Sequence, residues 1–145
     1  MDAHEYAVQV DWKADRLGVL SAADLPSEIN IEVATPPQFP KGIPNVWSPE
    51  HLFTAAVVSC FMTTFLSIAE NSKLVFTNFS CSAKGKLEQV EGKFKMTSVL
   101  LQPSICIADI AQKEKVERIM QKSETACLIS NSITASVQLN PTLYV

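Results

Sequence analysis

Four of the 145 residues are cysteines, Cys60, Cys81, Cys106 and Cys127. They are widely spaced and no CxxC pair exists, so the spacings that hold zinc are absent. A thiol in such a chain is either a small buried side chain or a nucleophile, and the nucleophile is the thiolate. Cys60 sits in the middle of an uncharged run. It either fills space there or reacts with the help of a nearby cation that brings its pKa down from about 8.5. Cys127 closes an amphipathic stretch at a polar junction, Ser130-Asn131-Ser132, where a thiol can face an opening. Cys81 and Cys106 lie in strand-like patterns and read as core. Arg16 is one of two arginines and, beside a turn, reads first as a solvated charge. Glu50 suits a helix start, where carboxylates oppose the dipole. His4 and His51 are isolated, and His51 reads as a surface residue rather than a base. No serine stands in a nucleophile-elbow context and no glycine-rich phosphate loop is present.

The elements that must position these groups are legible from periodicity. The stretch Trp47 to Lys73 opens with Ser48-Pro49-Glu50, a serine N-cap followed by proline at the first helical position. Leu52 to Ala69 carries no charge, which predicts a long buried central helix. Its hydroxyls (Thr54, Ser59, Thr63, Thr64, Ser67) and the strands around it favour a core helix over a membrane span. Ahead of it, Tyr6, Val8, Val10 and Trp12 alternate as one face of a half-buried strand. Arg16 to Leu20 returns as a second strand, and Ile29 to Ala34 gives a third. Thr35 to Asn45 holds four prolines and forms an extended loop. After the helix, Val75 to Lys86 and Lys93 to Leu101 form a hairpin, with Phe79 and Cys81 facing the core and Pro103 ending or bending the second strand. Asp109 to Ala126 is an amphipathic helix, and Ile133 to Leu139 a last strand ended by Pro141. Strands, helix, hairpin, helix, strand describes one α+β domain over residues 1–145.

Composition narrows the function. A domain of this size buries enough surface to fold without disulfide or metal, and neither a metal nor another cofactor is expected. The net charge is −3, which argues against a nucleic-acid partner, since that needs a basic face. The N-terminus, MDAHEYAVQVDW, lacks the basic and apolar regions of a secretory leader, so a cytoplasmic protein with no membrane partner is expected. Residue by residue, this gives a soluble α+β domain with two thiols of interest.

Two segments add more. Ser48-Pro49-Glu50-His51-Leu52-Phe53 with Ser59-Cys60, and later Glu124-Thr125-Ala126-Cys127-Leu128-Ile129-Ser130-Asn131-Ser132, together resemble the OsmC/Ohr family of thiol-dependent hydroperoxide reductases. The resemblance spans nearly the whole chain. Leu128 departs from it, standing where the family usually has proline, and the residues flanking Arg16 match poorly. The resemblance implies an OsmC-like fold in an intertwined homodimer. It makes Cys60 the peroxidatic cysteine and Cys127 the resolving one, joined as a disulfide in each cycle. Arg16 would stabilise the Cys60 thiolate, and Glu50 would hold that arginine. An organic hydroperoxide is the implied substrate, suited by Phe53, Phe61, Met62 and Phe65, and a dithiol the implied reductant.

Two other readings stay open. One is a non-catalytic OsmC-like redox sensor or scaffold using the same cysteine pair. The other is a different cysteine enzyme such as an acyl transferase, which needs a base beside Cys60. His51, nine positions earlier, is about 13 Å away along a straight helix. The same arithmetic puts Glu50 roughly 15 Å from Cys60, so a glutamate acting there would come from a second chain, or the helix would be broken between them.

Overall fold

The computed structural model describes residues 1–145 and begins with an antiparallel sheet of β1 (Val8–Ala14), β2 (Leu17–Ala22) and β3 (Ile31–Ala34), in that order. β1 and β2 close as a hairpin around Asp15 and Arg16, with Ala14 opposite Leu17. Asp15 takes a φ of 50°, a left-handed conformation that aspartate tolerates better than most residues. Every residue of β1 is exposed in the chain, Trp12 among them. The expected half-buried strand is therefore uncovered. Alternation identifies which face is apolar but supplies no layer to lie on it. The proline-rich loop is tied at both ends. Ile43 N–H donates to Thr35 O at 2.9 Å, and Ala34 N–H to Trp47 O at 2.8 Å. By contact, Met1–Leu52 forms one compact unit and Phe53–Val145 a second.

α1 runs unbroken from Pro49 to Asn71. Ser48 is its N-cap: Ser48 Oγ accepts the His51 N–H, and the Ser48 N–H donates to His51 Nδ1, each at 3.2 Å. This is a reciprocal capping box with histidine in the place usual for glutamate or glutamine. The helix ends in a Schellman arrangement, with Leu74 N–H on Ala69 O, Lys73 N–H on Glu70 O and Lys73 at a φ of 55°. Two of its hydroxyls turn back onto the helix, Ser59 Oγ onto Ala55 O at 2.7 Å and Thr63 Oγ1 onto Cys60 O at 3.1 Å. They add no unsatisfied donors to an apolar surface.

The second unit is built on β4 (Phe76–Val90) and β5 (Lys93–Ile107), a long antiparallel hairpin. Its turn places Glu91 and Gly92 at φ of 50° and 79°, and two successive positive values match the twist of the flanking strands. β5 passes through Pro103 and continues to Ile107. On the side of β5 away from β4, β6 (Ser136–Leu139) pairs in parallel with Ser98–Leu101, and β7 (Thr142–Tyr144) with Ser104–Cys106. Pro103 falls in the gap between these two registers, where no strand calls on its missing N–H. β7 was not visible in the sequence pattern.

Val57, Phe61, Phe65 and Ala69 recur at helical spacing on α1 and form the core with Val99, Leu101, Ile105 and Ile107 of β5. Val116, Ile119 and Met120 of α2 (Lys113–Ala126) complete it. Phe65 stacks on Phe79 at 5.0 Å between centroids and meets Phe76 edge-on at 5.6 Å. A register shift between Phe76 and Asn78 lets both aromatics face inward. Gly85 is required for the close approach of α1, because a Cβ there would lie 2.1 Å from Thr54 Oγ1. Asp109 does not start α2 itself: it caps a short 3₁₀ turn, Ile110–Gln112, that precedes it. α1 is long and apolar enough by length and composition to cross a membrane. In the chain it is buried along the one stripe that packs on β5, while Met62 and Leu66 are exposed.

Candidate active site

Cys60 and Cys127 are brought together from separate elements. Cys60 lies on α1, one residue before Phe61, whose side chain is anchored in the core. That anchor leaves Cys60 half-buried at the edge of the packed stripe. Cys127 is the residue at which α2 ends. Its backbone is extended, and its N–H reaches Glu124 O at 3.3 Å. The expectation that Cys127 faces an opening is not met, since its side chain is fully covered. The chain then wraps into a tight turn. Asn131 N–H donates to Cys127 O at 3.1 Å and Asn131 Nδ2 to Thr125 O at 3.1 Å. Ser132 Oγ donates to Leu128 O at 2.7 Å.

This turn acts on Cys60. Burial alone would raise the Cys60 thiol pKa, but hydrogen bonds from the Cys127 thiol, the Ile129 N–H, the Thr64 hydroxyl and the Leu128 N–H outweigh it, and the net shift is downward. Thr64 Oγ1 is 3.9 Å from the sulfur, one helical turn on. Cys127 moves the other way. Burial and its bond to Cys60 raise it, with the Ser130 hydroxyl and N–H opposing. Two thiols in contact titrate as a pair, and here the first proton leaves Cys60. The arrangement favours the thiolate form of Cys60 over that of Cys127, and a pair so ordered can carry out nucleophilic attack followed by disulfide formation.

The other predicted residues lie in the first unit. Arg16 is exposed in the β1–β2 turn. Glu50 is half-buried in the first turn of α1. Against the effect of burial, the groups that lower Cys60 are hydrogen-bonding groups of residues 64 and 127–129. Phe61 and Phe65 belong to the core and present no surface. Cys81 packs against the core, where burial pushes its thiol up to about 11 against a hydrogen bond from the Gln102 backbone. No group of three or more His, Cys, Asp or Glu side chains is placed to hold a metal. Thr64 could have been found from its i+4 spacing to Cys60. The backbone donors of Leu128 and Ile129 could not, because their aim depends on where α2 stops.

A family model described as OsmC-like protein matches residues 42–142. This chain belongs to the OsmC-like family. The matched segment contains Glu50, Cys60 and Cys127 but not Arg16. A curated relative, the uncharacterized protein YmaD of Bacillus subtilis, is 22% identical over 96% of this chain and 93% of its own length. Among solved structures, an OsmC-like protein of unknown function from Vibrio cholerae superposes with a TM-score of 0.84 at 23% identity, covering 96% of this chain and 99% of that one. An organic hydroperoxide resistance protein from Elizabethkingia anophelis gives a TM-score of 0.77 at 21% identity, covering 99% and 97%. The fold is thus that of OsmC-like proteins. Within it, Leu128 keeps a backbone N–H aimed at Cys60 that a proline could not supply.

Proposed function

We propose that this OsmC-like protein reduces organic hydroperoxides with Cys60 as the attacking thiol and Cys127 as the resolving one. The observation that carries the reading is the placement of the Cys127 thiol within hydrogen-bonding reach of the Cys60 sulfur, in surroundings that lower the Cys60 pKa and raise that of Cys127. The Cys60 thiolate attacks the terminal peroxide oxygen, the O–O bond breaks, and the alcohol leaves with a proton. The resulting sulfenic acid meets the Cys127 thiol, an S–S bond forms, and water departs. The two electrons taken by the peroxide are returned by an external dithiol. Similar structures described as organic hydroperoxide resistance proteins favour this chemistry over acyl transfer, as does the absence of a base among the groups acting most strongly on Cys60. Exposed Leu128, next to Cys127 in sequence, suits an organic substrate. The working compartment is then reducing, as the cytoplasm is.

In the same reading the protein works as a homodimer. The uncovered apolar residues of β1 and the exposed side of α1 are what a second copy would bury. Glu50 sits ten positions before Cys60 on an unbroken helix, so its help with Arg16 at the thiolate would come from the other chain.

The test is consumption of cumene hydroperoxide with a dithiol reductant, followed by peptide mapping. Cys60→Ser is expected to abolish consumption. Cys127→Ser is expected to consume about one equivalent and then stall or over-oxidise. A disulfide from Cys60 to Cys81 or Cys106, or full turnover by Cys127→Ser, would remove the assignment of Cys127.

A further inference from the structure

In the turn after Cys127, each polar side chain but one has a backbone to hold. Asn131 Nδ2 binds Thr125 O, and Ser132 Oγ binds Leu128 O. Ser130 Oγ is buried and forms no hydrogen bond of its own. A buried hydroxyl without a partner calls for an explanation, since such groups are nearly always satisfied. Ser130 lies three residues after Cys127 in a turn closed by the Asn131 N–H on Cys127 O. Its hydroxyl and its backbone N–H both act on the Cys127 thiol, opposing the effect of burial there. The hydroxyl is therefore close to the sulfur without being bonded to it while the thiol is neutral. A neutral thiol is a weak acceptor, and a thiolate a strong one.

We propose that Ser130 is the hydrogen-bond donor that readies Cys127 for the resolving step, its hydroxyl turning onto the Cys127 sulfur as that sulfur loses its proton. The inference deepens the thiol-pair reading above and rests on it. The step balances simply. Cys127 releases a proton and its sulfur attacks Sγ of the Cys60 sulfenic acid. The S–S bond forms as the S–O bond breaks, and the departing hydroxide takes up a proton to leave as water. Ser130 moves no proton. It holds the thiolate in a covered place where water cannot, and so meets the need that burial creates.

The test separates this idea from the peroxidase reading, because its first readout needs no peroxide. In a Cys60→Ser background, thiolate absorbance is titrated with and without Ser130→Ala. Loss of a donor to a charged group is expected to move the Cys127 transition up by about one pH unit. The second readout uses the chain with both thiols. After sulfenic acid has formed, disulfide closure at neutral pH is expected to slow about threefold in Ser130→Ala. A tenfold smaller thiolate fraction is partly offset by the greater nucleophilicity of a more basic thiolate. Ser130→Thr, which keeps a hydroxyl, is expected to restore both readouts. An unchanged Cys127 transition in Ser130→Ala overturns the proposal, even if peroxide is consumed normally. Equal slowing by Ala and Thr with a lowered melting temperature also overturns it, and would make Ser130 a packing residue. If no hydroperoxide is consumed but the transition shifts and Thr restores it, the proposed function fails while the local role of Ser130 stands.

Discussion

β1 and β5 carry similar alternation, yet their apolar residues end in opposite places. Val8, Val10 and Trp12 of β1 are exposed, Trp12 by 76%, whereas Val99, Leu101 and Ile105 of β5 are at 0% and Ile107 at 2%. β5 has a neighbour on each edge and α1 and α2 packed on its face, so its residues define a core. The first sheet has three strands and no cluster of its own among the buried residues. The second unit thus holds its thiols in a frame it builds itself. The first is a hairpin-and-loop layer whose apolar face waits for a cover. The placement of all four cysteines beyond Phe53 follows the same division.

The comparison breaks most easily in the core. Phe65 is fully buried and stacked between Phe76 and Phe79. Phe65→Ala is expected to cost about 3–5 kcal/mol, read as a lower urea midpoint. A cost near that of a surface substitution, within about 0.5 kcal/mol, would mean that the second unit is not the stable frame described.

The next effect tests the cover on the first sheet. Trp12 makes one hydrogen bond, from Nε1 to Asp15 O at 3.0 Å, and is otherwise open. If a second copy buries it, Trp12→Ser is expected to weaken the dimer by about 2 kcal/mol. Sedimentation would show dissociation at higher protein concentration, and the melting temperature would become more concentration-dependent. A monomeric wild-type protein, or a variant dimer of unchanged strength, would leave the sheet face genuinely uncovered.

A smaller change sharpens what starts α1. Ser48→Ala removes both the acceptor for the His51 N–H and the hydroxyl that lies 2.7 Å from His51 Nδ1. The expected loss is about 1 kcal/mol, typical of a helix N-cap, measured by chemical denaturation. Ser48→Asp, which keeps an acceptor, is expected to recover most of it.

The sequence predicted well where local chemistry decides. Ser48-Pro49 marked the helix start, Gln89 to Gly92 the stretch that holds the hairpin turn, and the spacing of Val116, Ile119 and Met120 the face of α2. It failed where a distant element decides. Whether Pro103 ends the strand or only bends it stayed open, because the gap between β6 and β7 is invisible until both strands are in place. Thr142–Tyr144 is too short to show a period. Tyr6 to Trp12 read as half-buried because a pattern cannot say whether anything covers it. The thiol pair itself was named only through a family resemblance. Its physical basis is a set of backbone N–H groups, and every non-proline residue has one.

The smallest expected effect concerns pH, and it tests whether the thiols report on the second unit alone. Cys81 titrates near 9.0 by itself, and burial raises it to about 11 in the folded chain. Between those values the unfolded chain has released a proton that the folded chain still holds. The folded state binds more protons there, so stability falls as pH rises from about 9 toward 11. Cys60 has the opposite sign. Its folded pKa is lowered, so its contribution is present above the unfolded value and is lost as pH falls through the folded one. Cys81→Ala is expected to flatten the decline above pH 9, apart from a constant loss due to the small cavity, and Cys60→Ser to remove a rise in stability as pH approaches 9 from below. The two effects fall on opposite sides of pH 9, so the slope of each variant's stability curve is compared with that of the wild-type protein by denaturation, below pH 9 for Cys60→Ser and above it for Cys81→Ala. Parallel curves would show that neither thiol is held by its surroundings as described. Because the first unit has no cysteine, a divergence of the expected sign belongs to residues 53–145, where the packing that shifts both groups is found.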